Sequence, residues 1–167
     1  LGYLASLPED TKARIEFVSR SSRSNLAVSF MSRRRYEEAM PLFRTLMAES
    51  PSSSHYAQGL IQCQNAIGEY ADAAATAREL LARDPGTPEN RLLLAQALVE
   101  AGDVNASVQE TAVLEASVGE KPDFATGLAG LAMLQGRYAV SAKYAARMVA
   151  NDPKDAHGHL ALARVEL

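Results

Sequence analysis

The chain spells one sentence three times. "RRYEEAMPLFRTLMAESPSSSHY" starts at Arg34, "GEYADAAATARELLARDPGTPEN" at Gly68 and "GRYAVSAKYAARMVANDPKDAHG" at Gly136. Gly68, Gly102 and Gly136 are spaced by 34 residues, with Arg34 in the same phase. Tyr36, Tyr70 and Tyr138 follow two residues later, and Val104 fills the remaining slot. Pro51, Pro85 and Pro153 keep the same period, as do Leu26, Leu60, Leu94, Leu128 and Leu162. A unit this short cannot bury its own apolar surface, so a fixed period of 34 residues predicts units stacked on their neighbours.

Within each unit the apolar spacing is helical. Leu26, Ala27, Phe30 and Met31 share one helix face, and Leu94, Ala95, Leu98 and Val99 repeat it. The mid-unit glycine ends that helix and permits a left-handed turn. A second helix starts near the Tyr and stops near the Pro, which cannot continue it. Small residues mark where the two helices meet: Ala27, Ala95, Ala129 and Ala163 on the first, Ala39, Ala73, Ser107 and Ser141 on the second. Leu46, Leu80, Leu114 and Met148 are placed to cover the junction with the following unit.

Composition agrees. Of 167 residues, 47% are hydrophobic but only 6% aromatic, with no Trp and a dominant share of Ala. That mixture suits closely packed helices better than a β-sandwich.

The phased pattern resembles the tetratricopeptide repeat family. The carriers are the 34-residue period, the small residue in each helix, the Gly-x-Tyr turn and the closing Pro. The resemblance implies an all-α fold: a right-handed superhelical solenoid of antiparallel helix pairs, with a preceding helix and a terminal capping helix. Four repeats are placed at 20–53, 54–87, 88–121 and 122–155, with a partial repeat or cap at 156–167. There are departures. The first unit lacks the turn Gly, and the third lacks the Tyr and carries Gly119 in the Pro phase. The bulky residue expected early in each first helix is replaced by Arg23, Ala57, Arg91 and Ala125.

Residues 1–19 do not fit the repeat. Pro8-Glu9-Asp10 is a helix start, with acids near the positive end of the dipole, and the helix is expected to run into the first unit. The string "LGYLASLP" before it resembles the junction in bacterial proteins between a sulfatase-like hydrolase of the alkaline-phosphatase superfamily and its tetratricopeptide repeats. That resemblance implies an accessory or oligomerisation domain whose catalytic part is missing from this piece. A chain beginning at Leu1 rather than Met is likewise expected to be excised from a longer one, and its compartment is left open.

Net charge is −3, and the whole acidic excess lies in residues 88–167. Such a balance offers no general attraction for nucleic acid or anionic lipid. An RNA-binding helical repeat would want a basic inner face, which Glu89, Glu100 and Asp123 oppose. No apolar run reaches the ~20 residues needed to span a membrane, so no membrane insertion is expected.

No active site is expected, and no cofactor. Cys63 is the single cysteine, mid-helix and without a basic neighbour, and reads as a buried inert thiol. His157 and His159, two apart, point to different helix faces and read as exposed helix-end residues rather than metal ligands. The serine-rich stretch at 19–25 and Arg33-Arg34-Arg35 read as solvated surface. No Gly-rich phosphate loop, zinc spacing or paired-carboxylate motif stands out.

The resemblance implies that first helices line a concave ligand surface, suited to a peptide or helix of a protein partner. Projected onto this sequence, that surface takes Met31, His55, Gln58, Gln62, Asn65, Glu89, Gln96, Glu100, Asp123 and Thr126, with Ser24, Val28, Leu92 and Met133 beside them. Gln and Asn can hydrogen-bond a peptide backbone as donor and acceptor. Family members that clamp the C-terminal carboxylate of chaperones use Lys, Arg and Asn at positions filled here by Ser24, Val28, Gly59, Glu89 and Leu93, so that ligand is not expected. The function read from the sequence is a noncatalytic protein–protein interaction scaffold. Self-association through Leu160, Ala163 and Leu167 of the last helix remains open.

Overall fold

A computed structural model describes residues 9–51, 53–119 and 121–165. "LGYLASLP" and Leu167 lie outside the described residues. Among those described there are nine α-helices, one 3₁₀ turn and no strand. They fall into two compact units, divided between Glu69 and Tyr70.

The first unit holds α1 (Glu9–Ser32), α2 (Tyr36–Glu49) and α3 (Ser54–Ile67). α1 runs unbroken through residues 19 and 20, so the helix started by the acids at 9 and 10 continues into the first repeat. α2 packs on both α1 and α3. Its buried face, Ala39, Met40, Phe43 and Leu46, meets Ala27 from α1 and Leu60 and Cys63 from α3. Ala27 and Ala39 are both fully buried, as small residues at a helix crossing should be. Leu26 is not: its side chain is 46% exposed, because no described helix packs on that face of α1.

The second unit holds α4 (Tyr70–Arg83), α5 (Pro88–Glu100), α6 (Val104–Val118), the 3₁₀ turn Pro122–Phe124, α7 (Ala125–Leu134), α8 (Tyr138–Asn151) and α9 (Ala156–Val165). Consecutive helices α5 with α6 and α7 with α8 form hairpins, and α5, α7 and α9 touch in succession as a row of first helices. The core between hairpins is built on Leu114, Phe124, Leu128, Tyr144 and Met148. Leu114 and Met148 thus sit at inter-repeat junctions. Ala163, by contrast, is exposed on the last helix, where no further second helix is described.

The serines on second helices do more than stay small. Ser107 Oγ donates to the Ala95 carbonyl at 2.6 Å, and Ser141 Oγ to the Ala129 carbonyl at 2.9 Å. Each joins the two small positions of its own hairpin.

The turns share one geometry. At Gly102 the φ is +85°, Gly102 N–H donates to Val99 O at 3.0 Å and Asp103 N–H to Leu98 O at 2.9 Å. This is the left-handed helix stop in which the two residues past the helix end cap its last free carbonyls. Gly68 and Gly136 repeat it, and Arg34 adopts it without being glycine, at φ +60°. Helix starts are capped where the sequence offers an Asp: Asp103 accepts from the Ala106 N–H, and Asp155 from the His157 N–H.

Candidate functional site

The site residues expected from the sequence separate into three groups. In the first unit, Met31, His55, Gln58 and Gln62 come together around one cavity of about 500 Å³, with Val28 beside them. α1 supplies Val28 and Met31, and α3 supplies the other three, successively three and four residues apart on one face. The floor is Phe43 of α2, which lies so close to Gly59 that an added Cβ would stand 2.5 Å from its ring. No charged side chain lines this cavity. Amide, imidazole and hydroxyl groups from Gln58, Gln62, His55, Ser32 and Tyr36 surround an apolar base.

In the second unit, Gln96, Thr126 and Met133 line a larger cavity of about 660 Å³. Its remaining wall comes from α7, α8 and α9, including Leu134, Met148, Leu160 and Arg164. The Thr126 hydroxyl sits 3.8 Å from Met148 Sδ. A third cavity, about 400 Å³, shares Thr126 and Met148 and adds Asp152 and Asp155.

The third group lies outside these three cavities. Glu89 is exposed in the first turn of α5, Glu100 is exposed at its end, and Asp123 is exposed in the 3₁₀ turn. Asn65 is half-buried, and its side-chain oxygen is buried without a hydrogen-bond partner. Leu92 packs partly buried against the core; its methyl would stand 2.7 Å from a Cβ at Gly127.

Sequence reasoning missed Phe43 and Gly59 in the first cavity and Leu160 and Arg164 in the second. It also missed a buried polar network. Gln135 Nε2 donates to Ser107 Oγ and to Thr111 Oγ1, both at 2.8 Å, while Thr111 Oγ1 donates to Ser107 O at 2.7 Å. Arg137 completes it by donating to Gln135 Oε1 at 3.3 Å. Polar residues on otherwise apolar faces were the available signal, but only tertiary packing brings the three together.

The groups considered for chemistry are placed as follows. Cys63 is fully buried, and burial pushes its thiol up to about 11, away from the thiolate. His157 Nδ1 lies 3.6 Å from Asp155, and His159 Nε2 lies 3.0 Å from the Pro153 carbonyl. No group of three His, Cys, Asp or Glu that could hold a metal occurs among the described residues. Arg23 is held by Glu49 at 2.5 Å, and Arg35 pairs with Glu38 and lies 4.7 Å over the Phe30 ring. No described helix is long and apolar enough to cross a membrane.

A family model described as tetratricopeptide repeat matches residues 30–89 and 66–129, together more than half of the chain. The chain belongs to the tetratricopeptide-repeat family.

Solved structures agree on the fold. A tetratricopeptide repeat protein from Parabacteroides merdae superposes with a TM-score of 0.71 at 16% identity, covering 98% of this chain and 66% of that one. A Podospora anserina putative kinesin light chain with tetratricopeptide-like repeats gives 0.68 at 18% identity, over 87% and 84% of the two chains. The Yersinia enterocolitica type III secretion chaperone SycD, solved with a peptide of the translocator YopD, gives 0.62 at 20% identity, over 74% and 92%. A search of curated protein sequences gives no match to this chain.

Proposed function

We propose that this tetratricopeptide chain is a noncatalytic protein-interaction scaffold whose first-helix faces take a peptide or helix of a protein partner. The observation that carries this reading is the first-unit cavity. Four residues projected from the family resemblance, Met31, His55, Gln58 and Gln62, surround one concave space of about 500 Å³. Its chemistry suits a peptide. An apolar floor takes a side chain, and neutral amides on the rim can donate to and accept from a backbone. The SycD–YopD complex is a precedent for a peptide on this fold. The Coulomb argument against nucleic acid stands beside it, since the chain carries net charge −3.

The test is selection of binders from a peptide array on the purified chain, repeated with Gln58→Ala and Gln62→Ala together. Both side chains reach solvent, so the helical circular dichroism and melting curve should be unchanged. Selected peptides should bind the double variant at least about fivefold more weakly, the loss of one to two hydrogen bonds. Binders indifferent to both changes would remove the first-unit cavity as the site.

A further inference from the structure

The larger second-unit cavity has a charge opposite to that of its surroundings. Residues 88–167 hold the whole acidic excess of the chain, yet no carboxylate lines this space. Its one permanently charged lining residue is Arg164, exposed at the rim and without an ion pair among the described residues.

Two helix faces form the walls. On α9, His157, Leu160, Ala161 and Arg164 follow the spacing of a single face. On α7, Thr126, Gly130 and Leu134 do the same, each one turn beyond the last. Both are first helices of consecutive repeats, so residues 34 apart in sequence stand at one level: Thr126 beside Leu160, Gly130 beside Arg164.

The two levels differ in chemistry. The lower one is floored by Met148, whose Sδ lies 3.8 Å from the Thr126 hydroxyl, and Leu160 remains 58% exposed there. Apolar area left open in a concave wall is what a partner's side chain covers. At the upper level a Cβ added to Gly130 would meet nothing within 4 Å, so space lies open beside the Arg164 guanidinium. One helical turn, roughly 6 Å, separates the levels. At the far end of the α9 face, His157 Nδ1 lies 3.6 Å from Asp155, so an acid placed there would meet a carboxylate.

Resting on the interaction-scaffold reading, we infer that this cavity binds an acidic peptide segment in extended form, carrying a bulky apolar side chain and, two residues on, a carboxylate. The apolar group enters over Met148 beside Leu160, and the carboxylate meets Arg164 across from Gly130. Alternate side chains of an extended segment share one face about 6–7 Å apart, which matches the step between the levels. Extension also leaves backbone N–H and C=O groups free for the amide of Gln96, which lines the same wall.

The probe is a Gly-Ser-Phe-Ser-Glu-Ser-Gly peptide, amidated and labelled with fluorescein through a flexible linker, titrated against the whole chain by fluorescence polarisation. Replacing its Glu with Gln should weaken binding about fivefold, the scale of one partly exposed ion pair. Replacing its Phe with Ser should weaken it at least about tenfold, the burial of one apolar side chain. Arg164→Glu should cost the parent peptide about fivefold, and a peptide with Lys for Glu should recover the loss on that variant alone. Gly130→Leu gains helix propensity, and its side chain leans toward the helix N-terminus and the Met148 level. It should keep the helical circular dichroism and weaken every peptide at least about tenfold. Equal affinity for the Glu and Gln peptides, no recovery by the Lys peptide, or binding indifferent to Gly130→Leu overturns the inference. So does absence of binding by the parent peptide. If array binders sensitive to Gln58 and Gln62 persist in that case, the scaffold reading survives; if they too are missing, both fall.

Discussion

Ser107 Oγ donates to the carbonyl of Ala95 at 2.6 Å and accepts from Gln135 at 2.8 Å, so one buried hydroxyl ties a hairpin together and anchors a side chain from the next. Ser141, in the same repeat phase, makes only the first of these bonds, to Ala129 at 2.9 Å.

The difference predicts unequal costs. Ser141→Ala loses one hydrogen bond to a carbonyl already inside a helix, worth about 1 kcal/mol. Ser107→Ala also strips an acceptor from the buried Gln135 amide, and should cost about 2–3 kcal/mol. Urea unfolding of both variants checks the order, and equal midpoints would refute it.

Arg34 stands where the other three turns have glycine, at φ +60°. A side chain in that region costs about 1–2 kcal/mol, partly offset by the entropy glycine loses on folding. Arg34→Gly should therefore stabilise the chain by about 0.5–1 kcal/mol, and Gly102→Ala should destabilise it by about 1 kcal/mol. Thermal melts of the two variants should shift in opposite directions.

Gly59 admits the Phe43 ring where a methyl would stand 2.5–2.9 Å from its carbons. Phe43 is 1% exposed and packed among Ala27, Ala39, Leu46 and Leu60 in the core. Gly59→Ala gains helix propensity of about 1 kcal/mol but overpacks the crossing by more, for a net loss of about 1–2 kcal/mol. Adding Phe43→Leu should make Gly59→Ala neutral or favourable. A double-mutant cycle with no coupling between the two sites would show that the contact is not limiting.

The thiol of Cys63 predicts an alkaline limit. Its value is raised by burial from 9.0 to about 11, so the folded state favours the protonated form. Stability from this source is complete below about pH 9 and falls as pH rises toward 11, by about 2–3 kcal/mol in all. Tyr144 follows at higher pH. Burial, then its hydrogen bond to Glu115, raises the phenol from 10.0 to about 12. Cys63→Ala should flatten the slope between pH 9 and 10, reduce it between 10 and 11, and leave the Tyr144 contribution, which runs from about pH 10 to 12. At pH 8 the native thiol should react with a disulfide reagent only as fast as the chain opens.

The repeat phase alone determined the period, the helix pairs and the small residues at helix crossings, while the family resemblance supplied the set at Met31, His55, Gln58 and Gln62 that the structure places around one cavity. These depend on neighbours three or four residues apart on a helix, or one repeat away, and such relations are written in linear order. Glu89, Glu100 and Asp123 are exposed at or beside helix ends, outside the three cavities. The Phe43 floor under Gly59 and the Gln135 network were decided only by tertiary structure. Each joins residues from different helices, whose approach distance depends on how side chains interlock at the crossing, and no periodicity encodes that distance.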